Sequence, residues 1–205
     1  MLITGFMIAL LLAPGANQAG GCNDFAFKKL LKGPRSEFRG RYVNEPYQYS
    51  VVIPKGLTGY DVPGPANHEG FGLALGKPLQ SYVFVRGEHN SFEYNTPREA
   101  AERSLEYLHR DGKNVESETI TLSHLGRLDA VRLVSIYSCP GSSDRYVLDS
   151  TMAISPDKGF LYEIDLYSPA NRYETDRAVL SRILKSWKMM PGPRHNRGNA
   201  GRGLT

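Results

Sequence analysis

Two segments of alternating apolar and polar residues flank a tight turn at Gly126-Arg127, and two more flank a loop over residues 155–159 that holds Pro156, Asp157 and Gly159. A period of two sustained through four consecutive segments dictates antiparallel strands, because successive side chains on a strand point to opposite faces. The first turn sets Ile120 opposite Leu133 and Leu122 opposite Val131, so apolar residues meet across the pair. The second loop sets Ile154 against Phe160, Met152 against Tyr162 and Leu148 against Leu166. These registers place Ile120, Leu122, Val131, Leu133, Tyr137, Leu148, Met152, Ile154, Phe160, Tyr162, Ile164 and Leu166 on one face. A helix over 174–187, with Val179, Leu180, Ile183, Leu184 and Trp187 at helical spacing, is expected to seal that face.

Upstream, Tyr42 to Ile53 reads as a Tyr- and Val-rich strand stopped by Pro54. An irregular loop rich in Gly and Pro follows from Pro54 to Gly70, and Phe71 to Leu75 and Leu79 to Arg86 form the next strand pair around Gly76-Lys77-Pro78. Thr96-Pro97-Arg98-Glu99 combines an N-cap hydroxyl, a proline in the first turn and a glutamate three residues after the cap. A helix therefore starts there, and it ends near Gly112.

Residues 1–13 hold no charged side chain and lead into a run of small residues ending at Gly21, which reads as a secretory signal peptide over 1–21. The apolar run is too short to span a bilayer, and no second run approaches that length. The chain then divides into one domain over 22–190 and a disordered Gly/Arg tail over 191–205. Arg194, Arg197 and Arg202 lie in that tail without an acid, so the other 22 basic side chains face 21 acidic ones. A body so close to neutral lacks the basic footprint of a nucleic-acid binder.

Two chemistries compete for Cys22. Ala19-Gly20-Gly21-Cys22 resembles a lipobox, which would make Cys22 a lipid anchor; an exported compartment equally permits a disulfide between Cys22 and Cys139, the reading taken here. Closing so long a loop is worth about 4 to 5 kcal/mol in the loop-entropy description.

A Cys–His nucleophilic pair would need Cys139 beside a histidine, but His124 sits near the turn, about ten residues away along the ladder. Hydrolase, metalloprotease, redox and phosphate-cradling motifs do not occur, and no cofactor is expected. Two constellations remain. His68-Glu69 and Glu88-His89 fall at one end of the sheet across the turn at 76–78, where two imidazoles and two carboxylates suit a divalent cation such as zinc; solvated loop residues are the plainer reading, so no metal is assigned. On the face opposite the core, Asp149 falls opposite Asp165, with Glu163 beside it and Arg132 diagonal, where Arg132 is expected to bridge the acids. Tyr60 in the long loop and Phe71 just beyond it join His68 as an expected contact surface.

Tyr47-Gln-Tyr-Ser-Val-Val-Ile-Pro-Lys-Gly56, the helix after Thr96, and the segment from Tyr162 to Ser186-Trp187 resemble the PsbP-like fold over roughly residues 42–188. The resemblance implies an α+β domain, an antiparallel β-sheet of about six strands with helices packed on it as an α/β/α sandwich, used as a non-catalytic docking module. No functional residue set of that superfamily maps onto this chain. The expected role is an exported binding or assembly module of the periplasm or envelope, its partner another protein or an envelope component. A small hydrolase or metal enzyme built on the 54–70 region, and a structural or stress-related envelope protein, are the alternatives.

Overall fold

The computed structural model describes residues 36–61, 70–76 and 80–191. The proposed signal peptide, Cys22, His68, Glu69 and the Gly/Arg tail beyond residue 191 lie outside these residues. The elements are β1 (Glu37–Phe38), β2 (Arg41–Asn44), β3 (Tyr49–Val52), β4 (Gly59–Asp61), β5 (Gly70–Leu75), β6 (Ser81–His89), α1 (Pro97–Arg110), β7 (Asn114–Leu125), β8 (Leu128–Ser138), β9 (Arg145–Ile154), β10 (Phe160–Pro169), α2 (Tyr173–Ser186) and β11 (Lys188–Met189). Eight strands form one sheet in the order β1-β4-β5-β6-β10-β9-β8-β7, and β11-β3-β2 form a second. The sheets therefore hold more strands than the six expected.

The hairpin β7–β8 adopts the expected register, Ile120 opposite Leu133 and Leu122 opposite Val131. Gly126 supplies the positive φ of 61° that a two-residue hairpin turn needs. A bulge between Val115 and Ser117 slides the far end by one residue, so Ser138 rather than Cys139 faces Asn114. His124 and Cys139 still stand at opposite ends of the ladder.

The β9–β10 register differs from expectation by one residue: Leu161 pairs with Ile154, Asp149 with Leu166, and Asp165 with Ser150. Lys158 takes a left-handed φ of 59°, and the Ser155 amide donates to the Phe160 carbonyl, which closes the loop one step later than residue counting suggests. A slip of one residue turns every side chain of a strand over. The single core face accordingly becomes two. Val131, Leu133, Tyr137, Leu148, Met152 and Leu161 pack under α1 through Ala100, Ala101, Leu105 and Leu108. Tyr162, Ile164 and Leu166 turn to the other face, where α2 packs through Leu180 and Ile183 together with Trp187 and the small sheet. The terminal helix thus seals the opposite side from the one its sequence position suggested, and the two helices sandwich the sheet.

Two further expectations change. Tyr42 to Ile53 is a hairpin and not one strand: Asn44 Oδ1 accepts from the Tyr47 amide at 3.0 Å, Pro46 has no amide to give a ladder, and Gln48 takes a positive φ. The loop after Pro54 is not structureless, because β4 pairs with both β1 and β5. At α1 the Thr96 hydroxyl accepts from the Glu99 amide at 3.3 Å as expected, whereas Glu99 reaches back not to the Thr96 amide, as a capping box would have it, but to the Asn95 amide at 2.9 Å.

Candidate functional site

Tyr60 on β4 stands opposite Gly72 on β5, which stands opposite Phe84 on β6, which stands opposite Asp165 on β10, which stands opposite Ser150 on β9. The next rung pairs Arg86 with Glu163 and the one after pairs Glu88 with Leu161. Alternation therefore brings Tyr60, Glu88, Glu163 and Asp165 onto one face around Arg86. This is the side of the sheet that α1 covers at β7, β8 and β9. Gly72 and Ala74 give β5 a low profile there, between Tyr60 and the side chains of β6.

Arg86 Nη2 lies 2.5 Å from a Glu163 oxygen and 3.3 Å from Asp165 Oδ2, while Ser150 Oγ donates to Asp165 Oδ1 at 2.5 Å. Both carboxylates are buried, whereas the Arg86 side chain keeps 37% of its exposure. One guanidinium thus serves two carboxylates, and its Nε has no hydrogen-bond partner among the described residues. Beside it, Tyr82 stacks on Tyr167 at 4.7 Å between ring centroids and meets Phe84 at 5.0 Å.

Burial opposes the charge on Arg86, but Glu163 and Asp165 outweigh it and hold its pKa above the ordinary value. Burial pushes Glu163 up to about 7, with Asp165 and Glu88 adding to the rise and Arg86 pulling against it. In the unfolded chain the same carboxyl titrates near 4.3. Between those values the folded protein binds more protons than the unfolded one, so this group lowers stability as pH rises through the window from about 4.3 to 7. Glu163→Gln is expected to flatten the slope of melting temperature against pH across that window. Equal slopes in the two proteins would show that Glu163 does not titrate there.

The other candidates point elsewhere. Phe71 is fully buried against Tyr42 and Phe38, so it is core and not contact surface. His89 packs edge-on against Tyr47 at the end of the sheet. Glu88 and His89, neighbours in sequence, sit on opposite faces of β6, and His68 and Glu69 lie outside the described residues. Among the described residues no group of three or more His, Cys, Asp or Glu is placed to hold a metal ion.

The expected acidic face of Asp149, Glu163 and Asp165 is split by the register slip. Asp149 faces α2 and takes a two-pronged pair from Arg132, both contacts 2.7 Å, plus a hydroxyl from Tyr173 at 2.8 Å. Arg132 bridges Asp149 to a helix and not to Asp165. Sequence reasoning missed Arg86 as the partner of the other two acids, because β6 and β10 are neighbours in the sheet but distant in the chain.

The comparisons with known proteins concern the fold. The chain is similar to the solution structure of cyanobacterial PsbP (CyanoP) from Synechocystis sp. PCC 6803, at 14% identity and a TM-score of 0.52 over 77% of this chain and 94% of that one. It also aligns with LpqN of Mycobacterium tuberculosis, described as involved in cell envelope biogenesis, at 13% identity and a TM-score of 0.41 over 78% of this chain and 88% of that one. The Ran-binding protein Mog1p of Saccharomyces cerevisiae aligns at 9% identity and a TM-score of 0.48 over 77% of this chain and 96% of that one. No protein-family model and no curated protein matches the chain. The chain has the PsbP-like fold, an α+β sandwich of antiparallel sheet and helices.

Proposed function

We propose that this chain is an exported, non-catalytic binding or assembly module whose contact surface is the β4–β5–β6–β10 face around Arg86. The observation that carries the reading is the sharing of one arginine, whose side chain is partly exposed, by two buried carboxylates beside stacked aromatic rings. Two acids on one arginine leave negative charge once Glu163 ionises, above about pH 7, and that charge suits a lysine or arginine side chain of a partner; aromatic and arginine residues are the types on which binding energy concentrates. The partner is another protein or an envelope component presenting such a basic side chain.

Export rests on the apolar segment 1–13 and the small residues after it, with the domain beginning at Cys22. No helix among the described residues is long and apolar enough to cross a membrane. A Cys22–Cys139 disulfide fits the same compartment; Cys139 is buried just beyond β8, and no cysteine among the described residues is a free thiol.

The test is a photoreactive residue in place of Phe84, introduced into the full chain in its native cells, with Phe92, an exposed position outside this face, as control. A discrete adduct at 84 that is absent at 92 supports the reading, and adducts alike at both positions or none at 84 refute it. The mass of the recovered chain reports on the rest: a start at residue 22 and a gain of two hydrogens on reduction are expected, whereas a retained leader refutes export and a lipid adduct on Cys22 refutes the disulfide.

A further inference from the structure

β7 is the outermost strand of the eight-stranded sheet, and it runs for twelve residues. Long exposed edges are templates for further pairing, and proteins usually blunt them with lysine, proline or a bulge. Here the blunting is confined to one end. The bulge between Val115 and Ser117 and the Glu116–Arg145 ion pair at 2.7 Å disturb the start of the strand, but Glu118 to His124 is regular and holds no lysine, arginine or proline. In the middle of that stretch Leu122 is 93% exposed.

We infer that β7 pairs antiparallel with β7 of a second copy of this chain, about a two-fold axis through Thr121. The hairpin sets which backbone groups are available. Leu125 and Leu128 flank the two-residue turn as the closing hydrogen-bonded pair, so Ser123, Thr121 and Thr119 exchange bonds with β8. The N–H and C=O groups of Glu118, Ile120, Leu122 and His124 therefore point to the open side.

A two-fold at Thr121 uses these groups and no others. It sets Ile120 opposite Leu122 of the second copy and Leu122 opposite its Ile120, which gives two apolar cross-strand pairs. It also sets Glu118 opposite His124 of the second copy, so that each carboxylate meets an imidazole donor. All four residue types share the α1 face, where Ile120 already packs at the margin of the α1 core. Pairing would carry that core across the axis and cover Leu122. An isologous contact of this kind closes on itself as a dimer, and with a body so near neutral in charge little repulsion opposes it.

The test is sedimentation of the full chain over a range of concentrations, with a reversible dimer as the expected result. Leu122→Lys places a charge in each apolar pair and is expected to weaken the dimer by at least about tenfold while leaving the melting temperature of the monomer unchanged. Thr121→Cys provides an independent readout that survives poor folding of that variant. Thr121 pairs with itself across the axis, so this cysteine is expected to cross-link two chains on mild oxidation, whereas Thr119→Cys is not. A monomer at all concentrations, or equal cross-linking at positions 119 and 121, would overturn the inference.

Discussion

Arg132→Ala is expected to destabilise the protein by about 3 kcal/mol, because it strands a carboxylate that has no route back to water. Asp149 is 1% exposed at its side chain and sits in the centre of β9, where Arg132 meets both of its oxygens at 2.7 Å. The fork is the geometry in which an arginine–carboxylate pair is strongest. The Asp149 contact also raises the pKa of Arg132 above its ordinary value. The third member, Tyr173, accepts from Arg132 at 2.8 Å and donates to Asp149 at 2.8 Å, and it opens α2. The triad therefore ties the first turn of that helix to the sheet.

At about 2 to 4 °C per kcal/mol for a chain of this size, the melting temperature should fall by about 10 °C. Arg132→Lys keeps the charge but cannot make the fork, and it should fall between the wild type and the alanine variant. Replacing both partners, Arg132→Met with Asp149→Leu, should recover about half of the loss or more, since no charge is then left buried. A melting temperature unchanged in Arg132→Ala would mean that the pair does not hold α2. Amide exchange in residues 173–177 gives a local readout, faster in Arg132→Ala than in the double variant.

Arg132 beside Asp149 is legible in the sequence, but Tyr173 as the third member and the separation of Asp165 from the pair are not, for a definite physical reason. β7–β8 was legible because a two-residue turn leaves one register open, and because Leu125 and Leu128 are the residues beside it. β9–β10 was not. Residues 161–166 are buried without a break, so alternation between a wet and a dry face cannot choose between registers one residue apart. Met152 packs under α1 while its neighbour Ala153 packs under α2, and both are apolar. The choice is made by the left-handed Lys158 and by the Asp157 side chain, which accepts from the Gly159 amide at 3.1 Å, details that composition does not reveal.

The candidate site was legible to the same extent. Glu163 and Asp165 read from sequence as acids on one strand and Glu88 as an acid just past the end of another, but their common neighbour Arg86 depends on the β6–β10 pairing, which joins strands separated by α1 and three strands. Asp176 shows the same dependence: beneath α2 it accepts from Ser81 of β6 and Ser168 of β10 as well as from Arg172 in the turn before the helix. The capped start of α1, by contrast, is made by residues three and four apart in sequence and needed no tertiary information.

The second large effect is expected at Trp187, the one tryptophan in the chain. Its ring is 1% exposed and joins three parts of the fold. It stacks on Tyr49 of the small sheet at 6.2 Å, meets Tyr162 of the main sheet edge-on at 5.1 Å, and lies against the turn at Gly126. A Cβ added at Gly126 would come within 3.1 Å of the indole, at a residue whose φ of 61° already resists a side chain, so the tip of β7–β8 is shaped to this ring. Trp187→Ala opens a cavity where these three parts meet and is expected to cost about 4 kcal/mol, measured by urea denaturation followed by circular dichroism. The indole Nε1 has no hydrogen-bond partner among the described residues. A buried donor without a partner contributes nothing favourable, so Trp187→Phe loses packing volume alone and should cost about 1 to 2 kcal/mol. In the wild type the emission of Trp187 should shift to the red in the same transition that circular dichroism reports. An alanine variant as stable as the phenylalanine one would mean that the indole fills space which its neighbours can close without it.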